Sequence, residues 1–403
     1  MRRFHFSVAI IYFILEFLLI SKLISDNEPL FTIFGFNVAL LDPLIAISVL
    51  YFAKYLFQRG AQENQENRVV LLVLASYALF QILVVLPLSH LYLGLSAKNL
   101  MRGLSSRLAI LTIPYFYYCV VDADRKIALL TWFVSAMTVL LVITKMISLP
   151  EARDEALVTD TGQLRYFWGG ADIAFGFLFA IAAFAQRLRP RNFILIAVAA
   201  TGFILVNHRS GYLALVFMIL LALVVLKGSK GFSRFGLLAL SLGAMILFCY
   251  VFAPAFFQNF VGRMLTSLDA DSPNARIRIL DYGAGLEYIR THLLFGGLLG
   301  NPYVDRGLFL APIHNFLLDI AVREGLIGLL FQMAFWTLIV KISLRNRQDI
   351  LTFQMMLAVA FYLFFSLFNT NYMNSWNILF LAFPTAVILR RNRVPNQYAS
   401  ALV

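Results

Sequence analysis

The stretch APIHNFLLDIAVREGLIGLL, Ala311–Leu330, opens as a polar turn with Pro312, His314 and Asn315 and closes as an apolar helix holding Gly325 and Gly328. An apolar helix launched from a polar turn is how a membrane span begins, so this stretch sets the fold expected for the whole chain. Asp319 and Arg323 are four apart, in the order that favours an ion pair along one helix. Gly325 and Gly328 are three apart on one face, where a partner helix can approach closely. Such packing would hold rigid the helix end that bears His314, which a general base requires.

Outward from this stretch the pattern repeats. Of 403 residues, 61% are hydrophobic and 13% charged, and apolar runs recur with few polar faces. The expected fold is an all-α integral membrane protein, a single polytopic domain over 1–403 with about twelve transmembrane helices. The runs lie near 5–24, 39–57, 69–88, 107–121, 126–148, 170–186, 192–206, 211–227, 233–252, 316–340, 350–368 and 375–389. The first follows Met1-Arg2-Arg3 and reads as a retained signal anchor. One long loop with helical patches, 253–314, precedes the tenth run and is expected to carry part of the site.

The net charge of +12 fits topology better than nucleic acid. With a cytoplasmic N-terminus, the inner segments hold 19 of the 33 basic residues, among them Arg187, Lys227, Arg345 and Arg390. That distribution predicts both termini in the cytoplasm. The outer-side exceptions cluster: Lys98, Arg102 and Arg107; Arg209; and Arg276, Arg278 and Arg290 in the long loop. Arginine suits planar, bidentate contact with phosphate or carboxylate. Cys119 and Cys249 both fall in apolar runs and form no metal or disulfide framework. No acidic pair is spaced for a divalent cation, so neither metal nor cofactor is expected.

His314 alone would read as an interfacial cap, but its neighbours favour a base on a fixed mount. In NHRSGYLAL, Arg209 stands with Asn207 and His208 at a helix start, either as a snorkelling arginine or as a fixed cation. In NARIRILDYGAGLEYIRTHLLFGG, Ile279, Tyr282, Leu286 and Ile289 recur at helical spacing. Arg278 and Tyr282 share a face there, and Arg276 does not.

Four features together resemble the O-antigen ligase and O-antigen polymerase superfamily of bacterial envelope glycosyltransferases. They are His314-Asn315, nine residues, then Gly325-x-x-Gly328; Arg278, Tyr282, Ala284 and Gly296 in the loop helix; the Arg-Ser-Gly helix start at Arg209; and the architecture of spans with one long loop. The resemblance implies a multi-pass inner-membrane enzyme with a periplasmic site, binding membrane lipids and an undecaprenyl diphosphate-linked oligosaccharide donor. It implies transfer of the glycan to an acceptor hydroxyl, on lipid A–core for a ligase or on another lipid-linked repeat unit for a polymerase. His314 would be the base of a metal-independent, inverting displacement. Arg209 with Arg278, or Arg276 in its place, would clamp the diphosphate. Asn315, Tyr282, Lys98 and Arg102 are further substrate or acceptor contacts. The alternative is a transporter or flippase of lipid-linked glycans, in which Glu16 and Lys145 would be the charges within spans.

Overall fold

A computed structural model describes residues 2–20, 31–33, 36–38, 42–59, 63–147, 157–158, 164–165, 209–225, 250–251, 258, 273–300, 313, 315–368 and 378–393. The chain divides into two compact units. The first comprises Met1–Ile127, Leu280–Met356 and Ser366–Val403; the second comprises Ala128–Ile279 and Leu357–Phe365.

The first unit is built around the rod Gln65–Leu93 and the long helix Phe316–Arg345. The rod starts where Asn64 caps it, its side chain accepting from the Asn67 N–H. Val70, Leu74, Tyr77 and Ala78 form its buried face. Val69, Leu72, Leu79 and Leu83 leave the opposite face apolar and exposed. The rod widens into a π turn at Gln81–Val85, just ahead of Pro87. Pro87 has no N–H for the ladder, and its ring crowds the carbonyl four residues back. Gly94, at φ 59°, ends the rod in the left-handed conformation. A short amphipathic helix, Ala97–Leu108, follows and buries Leu100, Leu104 and Leu108 at four-residue spacing.

The expectation of about twelve spans is corrected here. Among the described residues, two helices are long and apolar enough to cross a membrane, Gln65–Leu93 and Phe316–Arg345; Phe4–Leu15 and Leu351–Ser366 are shorter apolar helices. Several runs read as spans are core instead. The run 107–121 breaks into a helix end, a 3-10 turn Ala109–Leu111, a single turn Thr112–Tyr115 and a π turn Phe116–Val120, and every residue from Leu108 to Val121 is buried. The run 375–389 begins as a helix at Ile378, contains Pro384, and is buried from Leu379 to Leu389. A helix apolar all round is as much the signature of a protein core as of a bilayer span, and hydropathy cannot separate the two. The expected spans at 170–186 and 192–206, and 233–252 up to residue 249, lie outside the described residues.

The expected multi-pass inner-membrane placement, with both termini cytoplasmic and a periplasmic site, is corrected with the span count, because two helices rather than about twelve qualify among the described residues. Four of the basic residues behind it pair with nearby carboxylates. Arg345 pairs with Glu66 at 2.8 Å, Arg393 with Glu63 at 3.6 Å, Arg391 with Asp124 at 3.5 Å, and Lys126 with Asp122 at 2.7 Å. Around them, Asn392 donates to Asn67 Oδ1 and accepts from Asn346, while Asn67 donates to the Leu389 carbonyl. This polar knot ties together the start of the rod and the ends of the Phe316–Arg345 and Ile378–Arg393 helices.

The second unit contains most of the Asp124–Ile147 helix, a small hairpin pairing Leu157–Val158 with Leu164–Arg165, and the helix Arg209–Val225. Phe217 stacks on Phe364 with ring centres 4.3 Å apart.

Candidate active site

The helix Phe316–Arg345 is capped by Asn315, whose Oδ1 accepts from the Leu317 and Leu318 N–H groups at 3.1 Å each. Asp319 and Arg323 form the expected ion pair, Nε to Oδ1 at 2.9 Å. On the other side of His314, Ile313 is buried in a cluster with Val322, packed by Tyr282, Tyr288, Ile289 and Leu318. Ile313 lies directly on Gly285, where an added Cβ would stand 2.5 Å from its Cδ1. Both neighbours of His314 are therefore fixed, one by a cap and one by packing. His314 itself and the Arg209 side chain lie outside the described residues; Arg209 is the first residue of its helix.

The loop helix forms as expected, over Pro273–Thr291. Its buried face differs from the one expected. Tyr282, Gly285 and Ile289 face the Ile313 cluster, whereas Ile279 and Leu286 are exposed. Of the rival arginines, Arg276 is exposed and Arg278 half-buried, one turn before Tyr282. Lys98 and Arg102 are both exposed on the Ala97–Leu108 helix.

The glycine pair works differently from the expected helix contact. Gly325 has φ 68° and ψ −172°, and the helix breaks there. The break frees two N–H and two carbonyl groups, and all four are re-paired. Leu326 N–H donates to the Leu293 carbonyl at 2.8 Å, and Ile327 N–H to that of Leu294 at 3.4 Å. The Val322 carbonyl accepts from Gly297 N–H at 2.9 Å, and the Arg323 carbonyl from Arg107 Nη2 at 2.7 Å. The partner at the glycine is thus the turn 292–300, not another helix. A Cβ on Gly325 would stand 2.2 Å from the Leu294 oxygen, and one on Gly296 would stand 2.5 Å from the Gly325 nitrogen. Gly328 instead clears room for the Glu324 side chain, whose Cβ would be 2.2 Å from an added methyl.

Arg107 is the residue that sequence reasoning passed over in favour of Lys98 and Arg102. Its side chain is buried against Glu324, with Nη1 3.8 Å from Oε1. Tyr77 donates to the other Glu324 oxygen at 2.9 Å. Arg107 Nη2 also donates to the Leu298 carbonyl. The available signal was the spacing of Leu100, Leu104 and Leu108, which sets residue 107 beside the buried stripe and leaves 98 and 102 off it.

The family model described as O-antigen ligase matches residues 194–333. Over that segment the chain is similar to the O-antigen ligase family. The matched segment spans Arg209, Arg276, Arg278, Tyr282, His314, Asn315 and the break at Gly325. No curated protein matches the chain. The similarity supports a glycan-handling role of the O-antigen ligase or polymerase type. Among the described residues, no group of three or more His, Cys, Asp or Glu is placed to hold a metal ion.

Proposed function

We propose that the chain transfers a glycan from a polyprenyl diphosphate donor to an acceptor hydroxyl, with His314 as the general base. As the acceptor oxygen bonds to the anomeric carbon, His314 takes the hydroxyl proton. The bond from that carbon to the diphosphate oxygen breaks with inversion, and the lipid diphosphate leaves with the electron pair. Arg209 and Arg278 hold the charge that develops on the leaving group, as guanidiniums can without a metal. Arg276, being exposed, is the weaker claimant to that clamp. Asn315 offers a substrate only its amide nitrogen, because its oxygen caps the helix. Tyr282 packs against the mount more than it faces a ligand. Lys98 and Arg102 remain acceptor contacts in this proposal.

The observation that carries the proposal is the fixing of residues 313 and 315. A base gains most when its approach to the reacting proton is preset. Ile313 seated on Gly285 also packs the residue before His314 against the Tyr282–Ile289 part of the loop helix, within the first unit. The test is incubation of the purified chain with a defined polyprenyl-diphosphate oligosaccharide. A product lengthened on the same lipid identifies a polymerase, and transfer only when lipid A–core is added identifies a ligase. No release of polyprenyl diphosphate under either condition refutes the proposal.

A further inference from the structure

The Arg107–Glu324 pair has no part in the chemistry above, yet it is buried where two segments of the first unit meet. One guanidinium nitrogen, Nη2, holds two backbone carbonyls from different segments, Leu298 on the turn and Arg323 on the broken helix. The pair sits where the helix ladder is interrupted, so it supplies a bond that the helix cannot make for itself. The turn is pinned again nearby. Leu299 N–H donates to Ser89 Oγ at 3.0 Å, and a Cβ on Gly103 would meet the Leu299 oxygen at 2.8 Å. Between these ties Leu298 holds a left-handed φ of 53°, unusual for a residue with a side chain. Such a conformation persists where its surroundings over-determine it, and it is found disproportionately near functional sites. The turn leads directly out of the helix that carries Arg278 and Tyr282, and the broken helix begins at the Asn315 cap.

We propose that Arg107, neutralised by Glu324, is a positioning residue: it locks the turn 292–300 to the helix break and so sets the angle at which the His314–Asn315 end meets the Tyr282–Gly285 face. The proposal rests on the transfer reaction above. A lysine would keep the charge but lacks the rigid planar fork, so it would not reproduce the two carbonyl bonds together with the approach to Glu324.

The test uses the full purified chain as wild type, Arg107→Lys and Arg107→Ala. Hydrogen exchange is read at the Gly297, Leu326 and Ile327 amides, and donor turnover is resolved into kcat and KM. In Arg107→Lys, exchange at those three amides should accelerate while Arg68, at the far end of the rod, is unchanged. Its kcat should fall roughly a hundredfold, the scale of a small misplacement of a reacting group. Its KM for the oligosaccharide donor should stay within about twofold, because binding contacts are kept. Added guanidinium ion should restore part of the turnover of Arg107→Ala and none of that of His314→Ala. A merely structural role would lower the active fraction, which also lowers apparent kcat at constant KM, so turnover is expressed per active site by titration. On that basis a structural role leaves kcat unchanged and a positioning role lowers it. Wild-type exchange at the three amides, or an unchanged kcat, in Arg107→Lys would overturn the proposal; so would absence of rescue in folded Arg107→Ala. Should Arg107→Ala not fold, Arg107→Lys decides the matter alone. Accelerated exchange with an inactive wild type would mean the lock is real and the transfer reaction wrong. An active wild type with unchanged exchange in Arg107→Lys would mean the reverse.

Discussion

Gly325 combines φ 68° with ψ −172°, a region open in practice to glycine alone. Any side chain there would also run into the Leu294 carbonyl. Gly325→Ala should therefore cost at least about 3 kcal/mol, measured by chemical unfolding. Gly283 is the control: nothing lies within 4 Å of its Cβ position, so Gly283→Ala should be neutral or slightly stabilising within that helix. Glu324 is nine-tenths buried beside Arg107. Glu324→Ala leaves that guanidinium buried without its counter-charge and should cost about 3–5 kcal/mol. The sequence showed Gly325 and Gly328 as a pair but not what they were for. Spacing says that small residues share a face; it does not say whether a helix, a turn or their own neighbour's side chain fills the space.

At the scale of elements, features set by short spacing are what the sequence conveyed well, and the Asn315 cap was not among them. The Asp319–Arg323 pair, the helix within the long loop and the glycine turn after it all follow from local spacing, and all are present. Which face of the loop helix packs did not follow, because Ile279, Tyr282, Leu286 and Ile289 are equally apolar and only tertiary contact chose Tyr282 and Ile289. Asn315→Ala should lower stability by about 1 kcal/mol through loss of the cap, while Asn315→Asp keeps an accepting oxygen and most of that stability. At the polar knot, two arginines of similar look should behave differently. Arg345 is largely exposed, so Arg345→Ala should cost less than about 1 kcal/mol. Arg393→Ala should cost more, because it leaves the Glu63 carboxylate buried with one partner fewer. Thermal unfolding of the two variants side by side checks the order.

For the whole molecule, composition alone could not settle the architecture. Apolar runs such as 107–121 and 375–389 carry the hydropathy of spans and serve as core, and arginines that look like a topological signal pair with carboxylates across helix ends. Local features beside the His-Asn motif, such as the Asp319–Arg323 pair, were more legible than the fold, because short spacing specifies them whereas hydrophobicity has many uses. Hidden in both cases was whatever depends on distant segments meeting, above all Arg107 at the helix break. The central claim is that His314 removes the acceptor proton during glycan transfer. It is tested by the turnover of a defined polyprenyl-diphosphate oligosaccharide by purified wild type and His314→Ala, with unfolding transitions recorded for both. The account predicts equal stability and a loss of at least about a hundredfold in kcat for the variant, the lower bound for a general base. Turnover by His314→Ala within a few-fold of wild type would contradict it.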